Sequence, residues 1–209
     1  YKLSGEYIVE EGATLHIEEG VKIIAVYDDI ADYILVKQGG KINAVGTPDK
    51  PIVMTSEKEE PGAWGGIHIC GRAHTNAEGG KGSSEIGGAV YGGNDDADNS
   101  GTLQYIRLEY TGFAFDEEHE ANGISFYGVG NGTIVDHCQA YKGSDDGFEF
   151  FGGSVNVSNL VAVSCSDDSF DWTEGWNGKG TNLVAYQEAE STLGYDCDCL
   201  MECDNNGKI

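Results

Sequence analysis

Gly132-Thr-Ile-Val-Asp-His-Cys-Gln-Ala-Tyr-Lys-Gly-Ser-Asp-Asp-Gly-Phe-Glu-Phe-Phe-Gly-Gly153 is followed at once by Ser154-Val-Asn-Val-Ser-Asn-Leu-Val-Ala-Val-Ser-Cys-Ser-Asp-Asp-Ser-Phe-Asp-Trp-Thr-Glu-Gly175. A shift of 22 residues lays Ser144-Asp145-Asp146 on Ser166-Asp167-Asp168, and Phe148-Glu149-Phe150 on Phe170-Asp171-Trp172. A fixed period of this length without helical patterning is the mark of a β-solenoid. Each period is one coil, which buries its apolar face only by stacking on its neighbours.

The rest of the chain extends the same rhythm. Gly101 to Gly112 aligns with Gly132 to Gly143 at a shift of 31, and the extra length falls in a loop at residues 113–120. Asn122 to Gly128 takes the slot of Asp146 to Gly152, and Asp198 to Cys203 that of Asp167 to Trp172. At least four coils are therefore expected between residues 101 and 205. Earlier runs (7–25, 31–45, 51–56 and 64–71) alternate apolar and polar residues between glycine bends, as opening coils would. His16 lies on one such strand among surface-type residues and is expected to be solvated. Residues 72–100, rich in Gly, Ser, Asn and Asp, form one long loop of a kind that is either functional or disordered. The fold expected is all-β: a single right-handed parallel β-helix domain over residues 1–209, with coils of about 22 residues. Thirty-two glycines against three prolines suit many tight bends.

A net charge of −24 repels phosphate backbones and anionic lipid, which sets aside nucleic acid and membrane surfaces as partners. No stretch approaches the roughly 18 apolar residues of a membrane span. The six cysteines, at 70, 138, 165, 197, 199 and 203, show no zinc-type CxxC pair. They permit either disulfides of an extracellular protein or free thiols filling coil interiors. Tyr1 in place of a start methionine reads as a processed or excerpted chain.

Alternation along the repeated strand sends Ile124, Phe148, Phe150, Phe170, Trp172 and Met201 inward. It sends Ser125, Glu149, Asp171 and Glu202 outward in one file, while Asp145, Asp167 and Asp198 form a second file at the preceding bend. Strands lie about 4.8 Å apart, so carboxylates stacked at that spacing repel by about 1 kcal/mol per pair in water. Calcium, with 6 to 8 oxygen ligands and tolerant geometry, is the natural compensation. The expected ligands are Asp145, Asp146, Asp167 and Asp168, with Glu149, Asp171, Asp198 and Glu202 beside them. The competing reading is that the Asp-Asp pairs bond their own backbone as bend residues. A second oxygen-rich stretch offers Asp95, Asp96, Asp98 and Asn99, without the glutamate or the helices of an EF-hand. Tyr110, Tyr127, Tyr141, Tyr186 and Phe151 are candidates for outward-facing aromatics on which sugar rings stack.

Gly62 to Ala73, Asn99 to Tyr110, Asn122-Gly-Ile and Asp145-Asp-Gly-Phe-Glu-Phe-Phe-Gly-Gly153 resemble segments of secreted bacterial right-handed parallel β-helix proteins. The likeness runs from about Leu3 to Asn205. It implies an extracellular or cell-surface location and a missing or shortened C-terminal continuation. More distantly the chain is similar to pectate lyases and polygalacturonases, whose aspartates on successive coils are matched by Asp146 and Asp168. It lacks the Gly-His-Gly and Arg-x-Lys that accompany them, and its only arginines are Arg72 and Arg107.

The function expected is a secreted or surface-attached, calcium-binding module that binds a glycan or another cell-surface polymer, or serves adhesion, without catalysis. One alternative is a polysaccharide hydrolase or lyase using Asp146 and Asp168, or Glu149 and Asp171, as acid and base. Another is a structural segment of a larger surface protein, able to self-associate through open coil ends.

Overall fold

Short alternating runs between glycine bends become strands whose hydrogen-bond partners lie one coil away. A computed structural model describes residues 1–28, 30–116 and 119–205. Of the loop expected at 113–120, residues 117 and 118 lie outside the described residues. Six parallel strands (Glu6–Val9, Tyr33–Val36, Ile67–Cys70, Ile124–Tyr127, Phe148–Phe151 and Phe170–Thr173) make one sheet. An eleven-stranded sheet, built around the long strands Gly101–Glu109 and Ile134–Tyr141, wraps the rest of each coil. Every strand pairing among the described residues is parallel except the small hairpin Gly82–Ser83 with Val90–Tyr91. This is a parallel β-helix.

Three files of left-handed residues mark the corners of the coils. Tyr105, His137, Asn159 and Asn182 (φ 51° to 55°) stack at the first, and Tyr110, Lys142 and Ser164 at the second. Glu174 continues Gly128 and Gly152 at the third. Each non-glycine residue there costs about 1–2 kcal/mol, offset by contacts within the file. Asn182 Nδ2 donates to Asn159 Oδ1 at 3.0 Å, and the Tyr105 and His137 rings stack at 4.5 Å.

The core is the column of inward side chains. Phe126 lies on Phe150 with ring centroids 4.9 Å apart, Phe148 on Phe170 at 5.6 Å, and Trp176 caps Phe150 at 4.5 Å. Gly66, Gly123 and Gly147 stack just before these strands. A Cβ on Gly147 would stand 2.7 Å from the Ser169 carbonyl oxygen, so no side chain fits at that position.

Two expectations need correction. Gly101–Glu109 pairs with the next coil at a shift of 32, with Leu103 beside Val135 and Leu108 beside Ala140, rather than 31. A slip of one residue exchanges the faces of a strand; at 31 the buried Leu103 would face Ile134, which is exposed. Met201 is the second: it is 50 % exposed instead of interior, because its segment runs along the last coil without forming a strand.

Residues 72–100 carry a short 3₁₀ turn, Glu78–Gly80, and the hairpin, and they lie over the outer face of the six-stranded sheet. Ile86, Ala89 and Tyr91 pack there on Tyr33, Leu35, Cys70, Tyr127 and Phe151, forming a second apolar cluster outside the solenoid.

Candidate functional site

The outward file of the six-stranded sheet leads to a pocket of about 200 Å³ lined by Glu85, Glu120, Asp145, Asp146, Glu149, Asp167, Asp171 and Glu202. Strand register sets Ser125, Glu149 and Asp171 side by side on successive coils. Glu202 joins the file because its N–H donates to Phe170 O at 3.0 Å, which lays its segment along the last strand. Asp145, Asp146 and Asp167 come from the stacked bends just before the strands. Their donor atoms fall into three groups, each within 4.8 Å: Asp145–Asp146–Asp167, Asp146–Glu149–Asp171 and Asp168–Asp171–Glu202.

Not every carboxylate oxygen is available. Asp146 Oδ1 accepts the Asp168 N–H at 2.9 Å, and Asp168 Oδ1 accepts the Cys199 N–H at 2.8 Å, so one oxygen of each ties its coil to the next. Backbone bonding is thus one role of the Asp-Asp pairs, reaching across coils. Asp168 is 2 % exposed and does not line the pocket. Asp198 is exposed and also outside it; its Oδ1 takes the Cys199 thiol at 3.7 Å. Glu149 Oε2 accepts from Asn122 Nδ2 at 2.6 Å, and Asn122 Nδ2 also lies 3.1 Å from Ser125 Oγ. Asp171 differs: its Oδ1 is buried with no hydrogen-bond partner in a residue only 8 % exposed.

Burial raises the proton affinity of most of the acids that line the pocket. Burial, then the charges of Glu120 and Asp167, pushes Asp145 up to about 8. Burial lifts Glu85 to about 7 against the hydrogen bond from Tyr127, whose hydroxyl is 3.4 Å away. Asp146, Glu149, Asp167 and Asp171 are raised too, burial leading in each. No lining residue is cationic. Such a set of oxygens, partly removed from water, is suited to a hard divalent cation. It is equally able to hold a protonated carboxyl beside an ionised one.

Glu85 and Glu120 were not legible as site residues. They belong to excursions outside the repeat, and only packing of the 72–100 segment brings Glu85 over the file. The second acidic stretch does not converge. Asp98 Oδ2 accepts the Arg72 N–H at 2.9 Å, and Asp95 Oδ1 the Ala97 N–H at 3.2 Å. Asp96 holds the His74 N–H and ring, and Asn99 Oδ1 the Gly101 N–H at 2.8 Å. These are turn and loop anchors, and none of the described metal-type groupings includes them.

The aromatic candidates divide. Tyr127 (0 % exposed) and Phe151 (8 %) do point out of the coil, but the 72–100 segment covers them and their rings stack at 4.4 Å. The expectation that they meet a ligand is therefore corrected. Tyr110 and Tyr141 are half-exposed in an edge-to-face pair, with Arg107 and Lys142 against the Tyr141 ring. Tyr186 is exposed. All six cysteines are free thiols; Cys70, Cys138 and Cys165 are buried.

Stacked parallel coils enclosing an apolar column, with a file of carboxylates displayed on the outside of one sheet, define a parallel β-helix protein. The chain belongs to the pectate-lyase-like β-helix domain family, whose profile matches residues 1–209. A search of curated proteins finds no match to it. Among the described residues, no helix is long and apolar enough to cross a membrane.

Proposed function

We propose that this β-helix is an extracellular or cell-surface module that binds calcium in its carboxylate pocket and engages a glycan or similar surface polymer without catalysis. The observation that carries the cation is the buried, unpartnered Asp171 Oδ1 in a pocket lined by eight acids and no base. With Glu149 ionised, an oxygen so placed has lost its water without gaining a donor, a cost that a proton on Glu149 or a divalent cation removes. The residues that would hold the ion are Asp145, Asp146, Glu149, Asp167 and Asp171. Support for the polymer is more general: stacked coils form an extended surface, and Tyr110, Tyr141 and Tyr186 offer exposed ring area on it. Calorimetric titration of calcium into chelator-treated protein tests the ion, and glycan-array binding with and without calcium tests the polymer. Absence of calcium binding at millimolar concentration would sink the reading.

Register favours one second reading. Glu149 and Asp171 are direct neighbours across the sheet, both raised in proton affinity, within reach of the roughly 5 Å carboxyl separation of retaining glycosidases. Release of reducing sugar from a polysaccharide panel, abolished in Glu149→Gln, would establish hydrolysis in place of simple binding.

A further inference from the structure

We propose that His74 is a pH-sensitive clip on the 72–100 insertion. As an imidazolium it bridges Asp96 and the Gly175 backbone, tying one edge of that insertion to the turn after the strand Phe170–Thr173. The clip is separate from the carboxylate pocket, which none of these three residues lines. Its geometry fixes its charge. His74 Nδ1 lies 2.8 Å from Asp96 Oδ1, and Nε2 lies 3.0 Å from Gly175 O. An ionised carboxylate and a backbone carbonyl only accept, so both bonds form only when both ring nitrogens carry protons. The side chain is 30 % exposed. Burial works against its charge, but the bonds to Gly175 O and Asp96 outweigh it and raise the proton affinity above the ordinary value.

Loss of one proton breaks one bond selectively. With the remaining proton on Nε2, the Nδ1 lone pair would face a carboxylate; with it on Nδ1, the Nε2 lone pair faces a neutral carbonyl, the lesser repulsion. The neutral ring therefore keeps Asp96, which also accepts the His74 N–H at 3.1 Å, and gives up Gly175. Among the described residues, Asp96 is the charged group bonded to the ring. On the same stretch Asp95 and Asp98 accept the Ala97 and Arg72 N–H groups, and the Arg72 side chain pairs with Glu11. Beside Gly175, the Glu174 carboxylate accepts from Thr75 Oγ1 and Tyr91 OH. The release is local. Gly153 N–H still bonds His74 O, Gln38 Nε2 still holds Gly71 O and Gly92 O, and the apolar cluster stays packed. What loosens is the edge at residues 74–76, where Asn76 N–H meets Glu174 O at 3.1 Å and Asn76 Nδ2 meets Asn205 Oδ1 at 2.6 Å. This edge adjoins Tyr91, whose ring lies 5.2 Å from that of the covered Tyr127.

The protonated clip stabilises the joint fully below the ordinary histidine value of about 6.5, and its contribution is lost as pH rises through the higher folded value. Nitrogen NMR of the His74 ring should show an imidazolium whose midpoint lies above about 6.5 and whose neutral form carries its proton on Nδ1. Across that midpoint, hydrogen-exchange protection of the Asn76 amide should fall by about tenfold. The Gly92 amide, bonded to Gly71 O, should keep its protection. Glu85 lies on the same insertion and, raised by burial to about 7, titrates nearby, so variants separate the two. His74→Gln should abolish the pH dependence at Asn76. Asp96→Asn, which keeps an acceptor for the His74 N–H, should move it to lower pH. A His74 midpoint at or below about 6.5 would overturn the inference. So would level protection of Asn76 across the midpoint, or the same fall in His74→Gln, which would assign the change to Glu85.

Discussion

Two acidic regions of this chain behave in opposite ways. In Asn94 to Asn99 one side-chain oxygen of each of Asp95, Asp96, Asp98 and Asn99 meets a nearby N–H, and that of Asp96 the His74 ring as well, so these groups are anchored locally. In the pocket the acids of successive coils face one another across the strand spacing, and burial raises the proton affinity of most of them. Acid density alone does not make a cation site. Repetition in register differs in kind, because it stacks carboxylate on carboxylate across successive coils, the arrangement from which the proposed cation site is argued.

The comparison is broken most sharply by calcium affinity. Asp171→Asn should weaken calcium binding by about 100-fold or more, since it removes a proposed ligand rather than a supporting group, whereas Asp96→Asn should leave it unchanged. Calorimetry on both variants decides; equal losses would erase the distinction between the two stretches.

Stability against pH comes next. A carboxyl raised in the folded state, such as Asp145 from 3.8 to about 8, favours folding most fully below its unfolded value. That contribution is lost as pH rises through the folded value. In chelator, the melting temperature should accordingly fall by several degrees between about pH 4 and pH 8. Calcium, which binds the ionised carboxylates, should flatten or reverse the slope. A melting temperature in chelator that climbs over this range would contradict the protonated apo pocket.

The smallest effect belongs to the loop. Asp98→Ala leaves the Arg72 N–H without its acceptor and should cost about 1–2 kcal/mol in denaturant unfolding. The loss should be the same in calcium and in chelator.

The fold was legible because the 44 residues from Gly132 to Gly175 state the coil twice, and six of the eight pocket acids lie on or are aligned with that repeat. What escaped lies where the period is interrupted. Glu85 and Glu120 reach the pocket from excursions whose course no periodicity describes. Tyr127 and Phe151, candidates for outward-facing aromatics, do lie on the outside of the coil, but the repeat carries no information about what lies over that outside. Here the 72–100 segment converts it into a second core. The slip between shifts of 31 and 32 has a similar origin: matching Gly, Thr and Tyr identities outweighed burial of Leu103 and Leu108, which fixes the pairing.

Thermal unfolding of the wild-type protein at pH 8, in calcium and in excess chelator, tests the central claim most directly. A pocket of facing carboxylates that holds calcium predicts a melting temperature several degrees higher with the ion, by linkage to the folded state alone. Coincident unfolding curves would contradict it and return the stacked aspartates to backbone bonding and acid–base chemistry.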